Sequence, residues 1–333
     1  MSKILVTGGL GYIGSHTVVE LQNVNAEVVV VDNLANTTLD VAGRIQKITG
    51  KPVTFYQVDV CDTPALEEVF EKEDISGVIH FAAYKAVGES VEKPVAYYQN
   101  NVSGLISLLH CVKKYKTKSL VFSSSCTVYG DTKESPITEN HPIVEAISPY
   151  GTTKILGEEI LTDFTKFCDT KVVCLRYFNP VGAHKSALIG ELPLGVPSNL
   201  IPYVTQTAAG IREQLTIFGN DYDTPDGTNI RDFIHVVDLA KAHVKAVDYA
   251  TSNPISLDVF NLGTGVGQSV KEVVETFERV NDLKLNYTYG PRRQGDVEQI
   301  WADASKAKNV LGWETEIELD EMMRSAWAWQ QTL

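Results

Sequence analysis

The stretch Lys3-Ile4-Leu5-Val6-Thr7-Gly8-Gly9-Leu10-Gly11-Tyr12-Ile13-Gly14 runs a short apolar segment straight into glycines at positions 8, 11 and 14. A β-strand that feeds such a turn and then opens a helix lets the backbone approach a pyrophosphate. The helix start adds free N–H groups and the positive end of its dipole. The glycines alone would equally suit a tight strand-to-helix turn. What separates the two readings is Asp32, which closes the next apolar run (Glu27–Val31) 18 residues past Gly14. A carboxylate there accepts hydrogen bonds from a ribose 2′-hydroxyl and repels a 2′-phosphate, so the pattern points to NAD over NADP. Asn33 is neutral and leaves that inference unchanged.

Working outward, strands are expected at about 3–7, 27–31, 54–58, 77–81, 119–123 and 171–176, with helices near 12–22, 39–49, 64–72, 95–115 and 150–167. Strands apolar on both faces and separated by helices predict a doubly wound α/β parallel sheet, a Rossmann fold, with right-handed crossovers. From Asn179 the chain turns Gly/Pro-rich and irregular, ending in an amphipathic helix near 319–330. This places a cofactor domain at 1–180, with a return segment near 234–262, and a smaller mixed α/β substrate domain at 181–333. An eight-fold β/α barrel would continue its alternation evenly to the end.

Within the first half, Asp59 closes the third strand, a position that suits a loop cap and an adenine contact equally. Phe81-Ala82-Ala83 keeps side chains small where a cofactor would cross the sheet edge, as would any tightly packed strand exit. The decisive constellation is Ser123-Ser124-Ser125 followed 25 residues later by Tyr150-Gly-Thr-Thr-Lys154. Tyr and Lys at i and i+4 share one helix face. An ammonium so near favours phenolate and a bound nicotinamide cation would add to it; moving a phenol from ~10 to ~7 takes about 4 kcal/mol, which suits a partly desolvated site with two cations. Tyr150 would then accept a proton from a substrate hydroxyl that Ser125 also holds, while hydride passes to a nicotinamide.

Composition narrows the classes. The 333 residues carry 29 Lys+Arg against 42 Asp+Glu, a net charge of −13, with no long basic run, which disfavours nucleic-acid binding. Apolar runs such as Val28–Val31 fall far short of a membrane span, and the start at Met1-Ser2-Lys3 does not read as a signal peptide. Five cysteines without a Cys-x-x-Cys fit a reduced, cytoplasmic setting. The seven histidines show no metal-ligand spacing, so no metal is expected. Neither a Walker loop nor a Gly-x-Ser-x-Gly elbow occurs.

Taken together, GGLGYIGSH (8–16), DNLANT (32–37), HFAAYKAVGES (80–90), FSSSCTVYGD (122–131), SPYGTTK (148–154), LRYFNPVGAH (175–184), IFGNDYDTPDGTNIRDFIHV (217–236), PRRQGD (291–296) and WADASK (301–306) resemble the extended short-chain dehydrogenase/reductase family, and within it the UDP-galactose (UDP-glucose) 4-epimerases. The resemblance implies a tightly held, recycled NAD and reversible 4-epimerisation of UDP-galactose and UDP-glucose through a 4-keto sugar. It puts cofactor contacts on Gly8, Gly11, Tyr12, Ile13, Gly14, Asp32, Asn33, Asp59, Val60, Phe81, Ala82, Lys85, Asn100, Tyr150, Lys154 and Phe178. Substrate contacts fall on Ser125, Tyr150, Asn179, Asn199, Leu200, Phe218, Arg231, Arg293, Asp296 and Ile300. It also implies a homodimer, paired through the helices near 95–115 and 150–167, whose apolar faces are equally explained by packing on the sheet. Two arginine forks suit a diphosphate, and a loose hold on the sugar suits a flip. Phe233 stands where relatives often have Tyr, and Ile300 where bulk is linked to N-acetyl sugars. The enzymatic rival is a nucleotide-sugar 4,6-dehydratase, which typically has a carboxylate pair after the serine; Cys126-Thr127 stands here. A non-catalytic dinucleotide sensor would commonly lack the Tyr/Lys pair.

Overall fold

The computed structural model describes residues 3–132, 134–293 and 296–333. Its first strand, β1 (Lys3–Thr7), sends Ile4 and Val6 into one core cluster and Leu5 into another on the opposite face. β2 (Glu27–Asp32) repeats this with Val28 and Val30 against Val29 and Val31. A strand apolar on both faces needs cover on both. β3 (Thr54–Gln57), β4 (Ile75–His80), β5 (Ser119–Ser123) and β6 (Lys171–Tyr177) continue the series. After the short β7 (Asn179–Val181), β8 (Leu215–Phe218), β9 (Ile230–Arg231) and β10 (Phe233–His235), the longer β11 (Leu257–Leu262) rejoins it beside β6.

These seven long strands form one parallel sheet in the order β11-β6-β5-β4-β1-β2-β3. The sheet is open, with β11 and β3 at its edges, so the barrel is excluded. One face is covered by α1 (Tyr12–Asn23), α2 (Asp40–Thr49) and α9 (Val236–Ser252), which contribute Val18, Ile45 and Leu239. The other is covered by α3 (Thr63–Lys72), α6 (Gly104–Lys114) and α7 (Pro149–Phe164), which contribute Leu66, Leu105 and Leu161. The chain reverses direction across the sheet between β1 and β4, where Thr7 stands opposite His80. A ligand crevice opens at such a switch point.

The single helix expected over 95–115 is not continuous. After α4 (Val87–Glu92), α5 (Pro94–Tyr97) passes through a π turn at Tyr98–Ser103 before α6 begins. The wider turn aims Asn101 inward. Its Nδ2 donates to Tyr84 O and Thr153 Oγ1, both at 3.0 Å, and its Oδ1 accepts from Tyr84 N at 2.8 Å. The turn thus trades regular helix bonds for a tie between the loop after β4 and α7, a trade common at functional sites.

Beyond β6 the sheets are small. β7 pairs with β10, β9 lies between β12 (Gln268–Ser269) and β14 (Gln299–Ile300), and β8 pairs with β13 (Tyr287–Gly290). The β7/β10 and β8/β13 pairs share a third core with α8 (Leu200–Ala208), α10 (Val270–Asn281) and α11 (Leu319–Gln330), including Val204, Ile217, Phe277 and Met323. Among the described residues, no helix is long and apolar enough to cross a membrane, and no His/Cys/Asp/Glu group is arranged to hold a metal.

Candidate active site

Gly8 follows β1 with φ +68, a left-handed conformation that favours glycine, and a Cβ there would come within 2.9 Å of Ala82 N. A Cβ on Gly14 would lie 2.2 Å from Gly8 O, so the helix can start this close only without one. Gly11 is the N-cap of α1 and offers no side chain to its first N–H groups. A cradle with bare N–H donors fits a pyrophosphate. Tyr12 and Ile13 occupy that first turn, and Tyr12 Oη donates to Gly182 O at 2.6 Å. Asp32 is buried, accepting from Leu10 N at 3.1 Å and Leu34 N at 2.9 Å; burial pushes its carboxyl above the usual range. Asn33 Nδ2 donates to Asp59 Oδ2 at 3.0 Å, which brings two of the expected cofactor residues together. Asp59 also accepts from Cys61 N at 2.8 Å, whereas the cap of α3 is Asp62; burial raises the Asp59 carboxyl, but these bonds more than offset it and leave it lowered. Val60 is buried in the core beneath this loop, and Phe81 lies against His243 in a tilted ring contact, centroids 4.6 Å apart. Asn100 lies in the π turn and donates to Asn101 Oδ1 at 2.9 Å.

The Tyr150/Lys154 pair stands at the start of α7. Ser148 caps this helix through Gly151 N at 3.2 Å, and Pro149 takes its first position. Both Tyr150 and Lys154 are buried. Lys154 Nζ lies 5.8 Å from the Tyr150 ring centroid and 5.0 Å from that of Phe122, and donates to Ser123 O at 2.6 Å. Ser125 Oγ accepts from Thr127 N at 3.2 Å, which keeps its O–H free to donate. The lowering expected at the Tyr150 phenol includes a bound nicotinamide cation; the protein's own groups act, on balance, in the other direction. Burial is the largest influence and pushes it up, with Tyr177 adding to the rise, while the Ser125 hydroxyl opposes it. Burial also lowers the Lys154 ammonium to about 8, against the pull of Glu158 one turn on. Desolvation thus disfavours the charged form of both groups.

Glu158 was not foreseen. It pairs with Arg176 through two bonds at 2.9 and 2.6 Å, and Ser124 Oγ donates to it at 2.5 Å. Arg176 reaches on to Tyr129 Oη at 2.9 Å. This buried network braces the serine strand end from below. Its sequence signal was only the i+8 position from Tyr150 on the same helix face.

On the other side of the cleft, Asn179 begins β7 and donates its N–H to Asp232 O at 3.0 Å. Phe178 and Ile300 are buried in one small cluster with Val128 and Tyr129, and Ile300 sits opposite Arg231 in β14/β9. Phe233 is buried in β10. Asn199 is the N-cap of α8, which Leu200 opens. Asp296 gathers both arginines: Arg293 Nη2 at 2.9 Å and Arg231 Nη2 at 3.9 Å. Arg293 also lies over Phe218, 5.8 Å from its centroid. Burial lowers the Arg231 guanidinium from its ordinary value. Arg292, by contrast, pairs outward with Asp221 at 2.8 Å and covers Tyr222. Gln294 and Gly295 of the 291–296 block lie outside the described residues. Lys85 pairs with Glu191 at 2.9 Å, a partner that no periodicity or motif had marked.

A family model described as GDP-mannose 4,6 dehydratase matches residues 5–326. The chain is 52% identical to UDP-glucose 4-epimerase of Bacillus subtilis (strain 168) over 330 residues, covering 99% of this chain and 97% of that one. It is 51% identical to UDP-glucose 4-epimerase of Pasteurella multocida (strain Pm70), covering 98% and 97%. Among solved structures, UDP-glucose 4-epimerase from Bifidobacterium longum in complex with NAD+ and UDP superposes with a TM-score of 0.96 at 48% identity, covering 99% of this chain and 98% of that one. The Stenotrophomonas maltophila enzyme, with bound NAD and formylated UDP-arabinopyranose, gives 0.97 at 45%, covering 100% and 98%.

Proposed function

The chain belongs to the UDP-glucose 4-epimerase family, and on that premise we propose that Tyr150, Lys154 and Ser125 carry out its reaction, the reversible interconversion of UDP-galactose and UDP-glucose through a 4-keto sugar. The observation that carries this reading is the buried Tyr150–Lys154 pair set against the Ser123–Ser125 strand end. Two sheet positions away lies the glycine turn after β1. What NAD supplies when bound is a reversible hydride acceptor for the sugar C4 and, when oxidised, positive charge in the cleft. Tyr150 takes the proton of the 4-hydroxyl and later returns it, and Ser125 donates a hydrogen bond to the same oxygen. Lys154 holds the phenolate once that forms. The protein's own field keeps Tyr150 as the phenol, so proton removal is favoured only when the cleft is loaded.

Gly8, Gly11, Tyr12, Ile13 and Gly14 hold the pyrophosphate, Asp32 and Asn33 the adenosine ribose, Asp59 and Val60 the adenine. Phe81, Ala82, Lys85, Asn100 and Phe178 line the nicotinamide side. Arg231 and Arg293 bind the diphosphate, released in part from Asp296, with Asn179, Asn199, Leu200 and Phe218 around the nucleotide. Ile300 bounds the sugar and leaves UDP-glucose and UDP-galactose as the preferred substrates. Residues 1–180 with 234–262 form the cofactor domain and 181–333 the substrate domain. The exposed Val95 and Ile106 support pairing of two copies through the helices near 95–115 and 150–167. Five free cysteines fit a cytoplasmic protein.

The dehydratase reading is disfavoured by Cys126 and Thr127, which supply no carboxylate for elimination after Ser125. Incubation with UDP-galactose and no added cofactor is expected to yield UDP-glucose. Accumulation of a 4-keto-6-deoxy product from UDP-glucose would instead establish elimination and overturn the epimerase assignment.

A further inference from the structure

The segment between β7 and α8 brings one carboxylate to both sides of the cleft. Glu191 Oε1 accepts from Lys85 Nζ at 2.9 Å and from Asn199 Nδ2 at 2.6 Å. Lys85 lies on the loop after β4, and Asn199 immediately precedes α8. Two donors from separate parts of the chain therefore meet on a single oxygen. The Glu191 side chain is only 13% exposed, so this is not a freely solvated surface pair.

Asn199 gives the second observation. Asparagine at an N-cap ordinarily accepts from an N–H two or three residues on. Asn199 has the extended N-cap backbone, φ −92 and ψ 151, yet makes no side-chain cap bond to α8. Its amide is committed to Glu191. A residue type suited to capping is thus diverted into the cleft at a cost in local helix stability.

Glu191 is also held from behind. Trp329 Nε1 donates to its carbonyl at 2.9 Å, and a Cβ on Gly190 would come within 2.5 Å of the Trp329 ring. Arg44 lies over that ring at 5.3 Å and donates to Leu188 O at 3.3 Å. The backbone carrying the carboxylate is fixed by packing from α2 and α11.

We propose that Glu191 is a positioning residue that sets Lys85 and Asn199 relative to each other, coupling retention of NAD to binding of the UDP-sugar. This rests on the assignment of Lys85 to the cofactor and Asn199 to the substrate. With the carboxylate gone, Asn199 is free to cap α8 and Lys85 swings into solvent.

The test measures NAD kept by the holoenzyme through gel filtration, together with KM and kcat for UDP-galactose. Glu191→Ala is expected to lose most of its NAD and to raise KM about tenfold, the effect of losing one charge-assisted hydrogen bond. Glu191→Gln keeps an acceptor for Asn199 but no charge for Lys85, so KM returns to within about threefold of the parent while NAD is still lost. A general loss of stability does not separate the two readouts in this way. Parental NAD content and KM in both variants overturn the proposal, as does a Glu191→Gln that restores both or neither. If Glu191→Ala fails to accumulate, Glu191→Gln decides alone: NAD lost with KM held supports the coupling, and NAD retained overturns it. Lys85→Met and Asn199→Ala isolate the premise. If the first keeps its NAD and the second its KM, the site assignment fails, whatever Glu191 does.

Discussion

The two sides of the cleft hold their functional groups by opposite means. On the cofactor side, Gly8, Asp32, Ser125 and Lys154 stand at the ends of long parallel strands or on a helix packed against them. On the sugar side, Arg231 sits in a two-residue strand, Phe218 at the end of a four-residue one, and Arg293 in a loop. The first side is fixed by backbone and burial; the second is fixed by charge, with Asp296 shared between two arginines. A reaction that must hold hydride donor and acceptor in register, yet turn a sugar over, has use for this division. On the proposed assignment, rigidity would serve the chemistry and an adjustable ionic grip the diphosphate.

The sharpest way to test the contrast is at Tyr150. Tyr150→Phe is expected to lower kcat about a thousandfold, the scale of a lost general acid/base, while leaving bound NAD in place. A variant that kept parental turnover would remove proton transfer from the rigid side. Arg231→Ala is the matching change opposite. It is expected to raise KM for UDP-galactose between about tenfold and a hundredfold with a much smaller change in kcat, because it removes binding common to ground and transition states. An equal fall in kcat would show that the ionic side also takes part in the chemistry.

A third prediction concerns the rigid frame. Burial lowers the imidazoles of His16 and His80 to about 3 and those of His235 and His243 to about 4. The unfolded chain takes up protons on these rings below about pH 6.5 while the folded chain does not. Stability is therefore expected to fall as pH drops from 6.5 towards 4, by at most about 1.4 kcal/mol per ring per pH unit, measured by urea unfolding. Flat stability across that window would mean that the rings are not held neutral. The smallest effect is expected at Arg292, whose exposed pair with Asp221 lies outside the cleft. Arg292→Ala should change KM by less than about twofold, as for other surface ion pairs.

Much of this molecule was legible in its sequence, for a physical reason. Strands buried on both faces must be continuously apolar, and a glycine turn or an i, i+4 pair is a local fact that no distant contact can rearrange. Hence β1, Asp32 and the Tyr150/Lys154 face could be placed by spacing alone, and the long blocks of resemblance indicated the family. The π turn at 98–103 escaped because its cause is tertiary: Asn101 leaves helical register to bind Tyr84 and Thr153, far away in the chain. Spacing reports the ammonium near Tyr150 but not the depth of burial, which is the largest influence of the protein's own groups on that phenol. Glu191 carried no local signal, and the Glu158–Arg176 pair none beyond the place of Glu158 on the Tyr150 helix. Sequence determined which groups exist and how neighbours along one element align, since backbone geometry is short-ranged. Only the tertiary structure decided which charges meet across the cleft and how strongly water is excluded from them, since both depend on parts of the chain that are far apart until it folds.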